Sequence, residues 1–381
     1  MASIAPSEPK ITTTAPFAVS TRLVSLDVFR GMTIAAMILV NNAGDWSRIY
    51  WPLEHAEWNG WTPTDLVFPF FLFVVGVSMV LSFDSRRAKG ATRQSLLLHS
   101  LKRGAIIFGL GLFLMLYPRF DFSIVRIPGV LQRIAVVFLI ASALVLYVGR
   151  AGRIVIAAAL LLGYWAALML VPVPGHGAGV LTMDGNLAGY IDRALMYNHL
   201  YIKHRFDPEG VLSTIPAIAT CLLGVFTGEW IRGREPRRLI RGLLIGAVVG
   251  LTAGKLWNIW FPINKNLWSS SYVLFTAGFA MAVFAACYWL VDVRGWKRWT
   301  MPFVWFGVNP LAIYFASSWF GKASVVPWMN DDRIKTLAWK HLFENRFASP
   351  YINSLAYAVC FTLIFWAMAW ALYRKKIFIR V

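Results

Sequence analysis

The sequence contains few charged residues, and acids are the scarcer kind. Only 14% of its 381 residues are charged, whereas 58% are hydrophobic; soluble globular chains usually carry about a quarter charged residues. There are 18 Asp and Glu against 37 Lys and Arg. This composition excludes an ordinary soluble domain and indicates a protein that crosses a membrane several times.

Cysteine and histidine are also scarce. Cys221, Cys287 and Cys360 all lie in apolar runs, so neither a disulfide framework nor a cysteine metal site is expected. None of the six histidines lies at the centre of an apolar run, which argues against an intramembrane haem. Zinc-ligand spacing is missing as well, so no metal is expected. The lack of a visible internal repeat removes the simplest support for a transporter built from two related halves.

Long apolar runs dominate the rest of the sequence. Runs of about 18 or more residues can cross a hydrocarbon core of about 30 Å at a rise of 1.5 Å per residue. They predict an all-α, polytopic membrane bundle of about ten transmembrane helices. The predicted spans are 24–43, 64–83, 102–118, 128–148, 153–172, 211–231, 238–257, 271–291, 301–320 and 353–373.

Lysine and arginine are unevenly distributed between alternate loops. One set, formed by both tails and four loops, holds 22 of them, and the opposite, much longer set holds 12. By the positive-inside rule the first set is cytoplasmic, so both termini are expected in the cytoplasm. The net charge of +19 is therefore interpreted as a topology signal with anionic-lipid contact, and no nucleic-acid partner is expected.

Two regions are distinguished by composition. Residues 1–22 are polar and lack the apolar core of a signal peptide, so we interpret them as a disordered cytoplasmic tail. Residues 23–381 are expected to form a single transmembrane domain. The longest loop, 173–210, contains a predicted short helix over 190–197.

The first span carries polar residues that a lipid-facing helix would avoid. Asp27 and Arg30 are three residues apart, close enough to pair on one helix, and ionisable residues in a membrane usually pair or face a cavity. Arg30 and Asn41 lie on one helix face, some 16 Å apart along the axis. The pattern fits either a structural ion pair with an interhelical amide contact, or one wall of a polar cavity.

The segment HAEWNGWTPTDLVFPFF, residues 55–71, places polar groups immediately before the second span. His55 is followed by Trp58 and Asn59, and Asp65 stands where a carboxylate suits a helix N-terminus. A lone histidine in an aromatic loop is ordinarily a surface residue, and tryptophan is common at membrane interfaces. The same combination also suits a sugar ring, with a histidine available for proton transfer.

Further polar clusters lie at the ends of other spans. Gln132 and Arg133 lie just inside the fourth span, and INKNLWSSSY precedes the eighth. Helix caps account for one or two of these residues, but not for the whole INKNLWSSSY cluster. Glu209, in FDPEG, belongs either to an acidic site or to a turn. In the ninth span Asn309 is followed by Pro310, where a broken helix would expose backbone groups to a cavity.

Through six ordered motifs the sequence resembles the heparan-alpha-glucosaminide N-acetyltransferase family and its bacterial relatives, within the transmembrane acyltransferase superfamily. The motifs are SLDVFRGMTIAAMILVNN, HAEWNGWTPTDLVFPFFLFVVGVSM, RIPGVLQRIAV, FDPEGVLSTIPAI, NKNLWSSSYVLFTAGFA and VDVRGW with FGVNPLAIY. The resemblance runs from about residue 22 to the C-terminus. It implies a multi-span acyltransferase that passes the acetyl group of cytosolic acetyl-CoA to a glucosamine amine across the membrane. Lysosomal members carry an additional N-terminal domain and span that are absent from this sequence, so a bacterial inner-membrane protein is expected.

The resemblance also implies roles for individual residues. His55, in the H-A-x-W-N-G motif, corresponds to the active-site histidine, and Asn41 to the asparagine that closes the first span. Together with the polar clusters, it predicts a donor-binding set: Asp27, Arg30, Arg103, Gln132 and Arg133. The predicted acceptor-binding set is Trp58, Asn59, Glu209, Asn264, Lys265, Asn266, Trp268 and Asn309.

These features predict an acetyl-CoA-dependent N-acetyltransferase. The donor phosphates would lie near Arg30 or Arg103, and the thioester near Asn41, whose amide can donate to the developing oxyanion. His55 would take the proton of the acceptor. Direct transfer and an acetyl-histidine intermediate both remain open, as does the acceptor sugar. The expected partners are acetyl-CoA, an amino sugar and membrane lipids, with a homodimer as a further candidate.

Two other functions stay open on the sequence alone. An O-acetyltransferase acting on an envelope polysaccharide would need an orienting carboxylate for His55, such as Glu54 or Asp65, because hydroxyls are harder to deprotonate than amines. A carrier that moves a sugar or lipid without chemistry would leave His55 and Asn41 without a joint purpose.

Overall fold

The computed structural model describes residues 23–327 and 333–379, and the predicted tail 1–22 lies outside them. Within these ranges the chain forms α-helices and no strand, which confirms the all-α prediction. The helices are α1 (Val24–Val40), α2 (Val67–Arg87), α3 (Arg93–Leu116), α4 (Val130–Tyr147), α5 (Arg150–Leu170), α6 (Leu187–Met196), α7 (Val211–Ile231), α8 (Pro236–Trp257), α9 (Ser270–Tyr288), α10 (Met301–Val308), α11 (Pro310–Ala323), α12 (Ile334–Ala338) and α13 (Pro350–Arg374).

Among the described residues, eight helices are long and apolar enough to cross a membrane: α2, α3, α4, α5, α7, α8, α9 and α13. The other two predicted spans, 24–43 and 301–320, are not single helices of this length. α1 has 17 residues, or about 26 Å of helix. The ninth span is divided at Asn309 into α10 and α11, because Pro310 has no N–H to continue the helix and begins a new one instead. The predicted break at this position is confirmed.

Helices α2 and α7 pack very closely through glycine. A Cβ added to Gly76 would lie 2.1 Å from the carbonyl oxygen of Cys221, and one added to Gly224 would lie 2.0 Å from that of Phe73. Small residues allow two helix backbones in a membrane to approach this closely. The two helices are therefore fixed relative to each other, which also fixes the loops that lead into them.

Helices α2, α4, α7 and α9 all begin at one end of the bundle, where four connecting segments meet. We call these segments, 41–66, 117–129, 197–210 and 258–269, the site-end loops. Gly60 N–H donates to the carbonyl of Ile263 at 2.8 Å, and Ile127 N–H donates to that of His199 at 3.1 Å. The predicted short helix in loop 173–210 is confirmed as α6.

Candidate active site

His55 is held by a buried carboxylate. Its Nδ1 lies 2.7 Å from Oδ1 of Asp65; the Asp65 side chain is 1% exposed and that of His55 45%. The other Asp65 oxygen accepts the backbone N–H groups of Ala56 at 3.1 Å and Thr62 at 3.0 Å. In a neutral imidazole whose Nδ1–H donates to the carboxylate, Nε2 carries the free lone pair. The arrangement therefore presents a proton acceptor at the exposed edge of the ring.

The local sequence explains why Asp65 is so well fixed. Thr62 and Asp65 form a capping box around the 3₁₀ turn Pro63–Leu66, which leads directly into α2; such a box satisfies the free N–H groups at a helix start. From the other side, the buried hydroxyl of Tyr272 in α9 donates to the backbone carbonyl of Asp65. Asp65 is thus positioned by both its own turn and a neighbouring helix.

Lys265 lies against the face of the His55 imidazole. Its Nζ is 3.0 Å from Nδ1 and 3.1 Å from Nε2, and 3.7 Å from Oδ1 of Asp65. If Nζ lay in the plane of the imidazole at these two distances, it would clash with Cε1, the ring carbon between the two nitrogens. Nζ therefore lies above the ring plane. Burial lowers the pKa of Lys265, while the charges of Asp65 and Glu209 act in the opposite direction.

The turn that carries Lys265 is pinned by hydrogen bonds. Asn264 accepts the backbone N–H of Leu267 at 2.8 Å and donates its amide to Asn59 at 3.1 Å. Trp268 has a φ of 52°, which is unusual for a bulky residue and persists only where surrounding contacts impose it. These contacts join the Lys265 turn to the His55 loop.

An ionic network borders the group formed by His55, Asp65 and Lys265, which we call the histidine cluster. Arg126 binds Asp207 through two hydrogen bonds, Nε–Oδ2 at 2.8 Å and Nη2–Oδ1 at 2.7 Å, and it also donates to Glu209. Burial alone would raise the pKa of Glu209, but the positive charges of Arg126, Arg133 and Lys265 hold it below its usual value. Glu209 is therefore an anion at neutral pH, within electrostatic range of Lys265.

Arg133 and Gln132 carry polar atoms into the interior of the bundle. Nη2 of Arg133 donates to the carbonyl of Pro208 at 2.8 Å, and its guanidinium carbon lies 5.0 Å from the centre of the Trp268 ring. Gln132 is buried, and neither its amide nitrogen nor its amide oxygen has a hydrogen-bond partner within the described residues. An unsatisfied buried polar group costs about 1–3 kcal/mol, so this amide suits a polar ligand that enters the bundle.

A second polar cluster lies toward the N-terminal end of α1, away from His55. Arg30 donates to Asp27 at 3.2 Å, to the carbonyl of Gly307 at 3.1 Å and to the hydroxyl of Ser78 at 2.6 Å. The predicted Asp27–Arg30 pair is confirmed. Arg103 lies within electrostatic range of Arg30, so this end of the bundle gathers cationic groups.

Two predicted site residues make no hydrogen bond to His55, Asp65 or Lys265 among the described residues. Asn41 is the exposed C-cap of α1, and among the described residues its side chain makes no hydrogen bond to His55. Asn309 is buried, donates to the carbonyl of Ile377 at 2.9 Å and accepts the N–H of Ile379 at 2.8 Å. Its amide therefore holds the segment that follows α13.

Most of the remaining predicted residues surround His55 or the turns next to it. Trp58 donates its indole N–H to the carbonyl of Leu181 at 2.8 Å and packs against Phe206. Asn266 is partly buried in the turn that contains Lys265. The predicted residues that gather at the site-end loops are His55, Trp58, Asn59, Arg133, Glu209, Asn264, Lys265, Asn266 and Trp268.

Two contacts at the site are not predicted from the sequence, and a third is predicted only for one alternative function. Asp65 was expected to orient His55 only in the O-acetylation alternative, although the Thr62–Asp65 spacing of a capping box was a usable signal. Tyr272 lies in a serine-rich helix start that gave no reason to single it out. Arg126 donates to Asp207, which lies 81 positions further along the chain, and no local pattern indicates such a pair.

Comparison with known proteins adds an independent observation. Residues 22–251 match the family profile "Heparan-alpha-glucosaminide N-acetyltransferase, catalytic". The heparan-alpha-glucosaminide N-acetyltransferase of Homo sapiens is 32% identical over 418 residues, covering 94% of this chain and 60% of the human protein. That of Mus musculus is 30% identical over 403 residues, covering 91% of this chain and 60% of the mouse protein. The chain thus spans about 60% of the length of these curated relatives.

Proposed function

The chain belongs to the heparan-alpha-glucosaminide N-acetyltransferase family, and from this premise we propose that it is a membrane-embedded, acetyl-CoA-dependent N-acetyltransferase. The proposed acceptor is the amine of a glucosamine-type sugar. The donor would enter from the cytoplasm and the acceptor from the opposite side of the membrane. The names of the human and mouse relatives support this reaction class.

His55 acts as the general base in the proposed reaction. Its Nε2 accepts a proton from the acceptor nitrogen as the new C–N bond forms and the thioester C–S bond breaks. The proton then passes to the departing thiolate, so that the products are an amide and coenzyme A. Asp65 keeps Nδ1 as the donor and stabilises the imidazolium that forms in between. In a two-step route Nε2 itself would attack the thioester, and the same orientation would serve it.

The other polar residues have proposed roles along the path of the donor. Arg30 and Arg103 suit the donor phosphates because guanidinium groups bind phosphate oxygens well. The unpartnered amide of Gln132 suits the polar pantetheine arm inside the bundle. Asn41, where α1 ends, is proposed to donate to the oxyanion.

The orientation in the membrane follows from charge. The loops at the end opposite His55 carry most of the lysine and arginine, so we place that end and both termini in the cytoplasm. His55 would then face the extracytoplasmic side, where a water-soluble acceptor arrives. An inner-membrane location in a bacterium fits this arrangement.

The observation that carries the proposal is the 2.7 Å contact between His55 and Asp65 beneath Lys265. The test incubates purified protein with acetyl-labelled acetyl-CoA and a panel of amino sugars, with His55→Ala and with Asp45→Asn as a loop control. Labelled glucosamine from wild type and Asp45→Asn, but not from His55→Ala, is expected. Unchanged labelling by a folded His55→Ala protein would overturn the catalytic assignment, and sugar transport into vesicles without acetyl-CoA consumption would favour the carrier.

One observation also favours the second candidate, O-acetylation of a polysaccharide. A hydroxyl acceptor needs a base with an orienting carboxylate, and Asp65 provides it. Competition in the same assay separates the two reactions. An N-acetyltransferase labels glucosamine in preference to N-acetylglucosamine, whose amine is already blocked, whereas an O-acetyltransferase labels both.

A further inference from the structure

A groove of about 600 Å³ runs along the outer face of α8. It extends from Arg237 and Arg241, near the start of the helix, past Leu244 and Val248, and Trp289 forms its second wall. The C-terminus of α8 leads into the site-end loop 258–269, so the two arginines lie at the end of the bundle opposite His55. The groove is therefore separate from the candidate active site.

The packing of α8 against α9 explains why this face is turned outward. A Cβ added to Gly250 would lie 2.9 Å from the Cα of Gly278, and one added to Gly254 would lie 2.6 Å from the backbone nitrogen of Phe275. This glycine face keeps the two helices close. The opposite face is left uncovered, with Leu244 49% and Val248 63% exposed.

Trp289 stands beside this face at the point where the α-helical winding of α9 ends. After Tyr288 the chain continues as a single π-helical turn, Trp289–Val293, a form that is rare in proteins and often found at functional sites. The guanidinium carbon of Arg294 lies 4.9 Å from the centre of the Trp289 ring. A third cation thus lies at the arginine end of the groove.

The charged residues that line the groove are all positive. Arg237 and Arg241 form no hydrogen bond or ion pair with any residue that the structure describes, and no acid is among the groove-lining residues. The acids on the flanking elements have other partners. Glu235 lies 3.9 Å from Arg238, and Asp292 accepts the backbone N–H of Ser25.

We propose that this groove is a binding site for one anionic phospholipid. Its phosphate lies between Arg237 and Arg241, which are four residues apart and so project from the same helix face. One acyl chain lies along Leu244 and Val248 against Trp289. Positions 237 to 249 cover about 18 Å of helix, close to the 15 Å depth of one leaflet in a hydrocarbon core of about 30 Å. A zwitterionic lipid fits less well because its headgroup cation would meet the arginines.

The first test measures lipid retained by the purified full chain. Protein is exchanged into equimolar phosphatidylglycerol and phosphatidylcholine, and native mass spectrometry counts the bound lipids. Wild type is expected to retain one phosphatidylglycerol preferentially. Arg237→Gln with Arg241→Gln is expected to bind it about 30-fold more weakly, from about one kcal/mol per basic residue at a membrane surface.

The matched control removes the same charge outside the groove. Arg238→Gln with Arg298→Gln is expected to retain phosphatidylglycerol as wild type does. An equal loss in both double variants, or equal retention of the two lipids by wild type, would show general surface electrostatics and overturn the proposed site.

The second test leaves the arginines in place and fills the apolar part of the groove. Val248→Trp is expected to lose the phosphatidylglycerol adduct, whereas Val155→Trp, on the exposed face of α5, is expected to keep it. A disulfide-linked dimer formed by Leu244→Cys in a Cys360→Ser background would instead show that a second copy of the chain covers this face, and would contradict lipid occupancy. Cys221 and Cys287 are buried and do not interfere.

Discussion

Nδ1 of His55 lies 2.7 Å from Oδ1 of Asp65, although the two residues are ten positions apart on a loop and a helical turn. The contact depends on the capping box at the start of the second span, because the same carboxylate that accepts backbone N–H groups also holds the imidazole. A feature that starts a membrane helix therefore also fixes the tautomer of the proposed base.

Removing the imidazole should abolish most of the proposed activity. His55→Ala and His55→Asn are each expected to lower kcat for acetyl transfer by about 10²–10⁴-fold, the usual contribution of a positioned general base. A modest loss of thermal stability is also expected, because the buried Asp65 carboxylate loses one hydrogen-bond partner. The measurement is acetyl transfer from labelled acetyl-CoA, with elution as a folded protein as the control. Activity above a tenth of wild type in either variant would contradict the assignment.

Asp65→Asn should reduce activity while the imidazole is still present. An amide cannot stabilise the imidazolium, and its NH₂ group facing Nδ1 favours the tautomer with a proton on Nε2. We expect kcat to fall by about 10²-fold or more, with a loss of stability of about 1 kcal/mol from the weakened cap. The control is Asp45→Asn, which removes another loop carboxylate that accepts a backbone N–H. Equal kcat for Asp65→Asn and wild type would show that Asp65 serves the helix start alone.

Lys265 should affect the reaction through its charge. Contacts to a charged group contribute about 1.5–3 kcal/mol, so Lys265→Met is expected to lower kcat/KM by about 10- to 150-fold. Lys265→Arg keeps the charge and should recover part of the loss. Steady-state kinetics distinguish two roles for Lys265. A change confined to the acceptor KM indicates acceptor binding, whereas a fall in kcat indicates action on the reacting groups. Wild-type kinetics in Lys265→Met would exclude both roles.

Local patterns predicted the helices and several of the polar residues that lie together. Apolar length identifies the long spans, and Pro310 marks the break in the ninth because proline cannot supply an N–H to a continuing helix. The Asp27–Arg30 pair was also predictable, since residues three apart share a helix face.

Contacts between distant segments were not predictable in this way. Arg126 meets Asp207 because α7 packs against α2 and α4, which brings together the segments that precede α4 and α7. Asn309 was assigned to acceptor binding, but its partners lie beyond α13, some 70 positions further along the chain. A single sequence contains no signal for such pairs, because they result from how the helices pack and not from the local pattern.

Asp192 should make the stability of the folded protein depend on pH near neutrality. It is buried in α6, one oxygen accepts the N–H of Val211 at 2.9 Å, and the other has no hydrogen-bond partner among the described residues. Burial outweighs that hydrogen bond and raises the pKa of Asp192 to about 7. A carboxyl whose pKa is raised on folding stabilises the folded protein fully below its usual value of 3.8. This contribution falls by about 1.4 kcal/mol per pH unit as pH rises from there toward 7, and it is lost above 7. Wild type should therefore unfold at a lower temperature at pH 8 than at pH 6.

Asp192→Asn, which keeps an acceptor for the N–H of Val211, should reduce this difference in unfolding temperature. The control Asp184→Asn, at an exposed carboxylate paired with Arg205, should not reduce it. Equal shifts in unfolding temperature between pH 6 and pH 8 for wild type and Asp192→Asn would show that Asp192 does not titrate in this range.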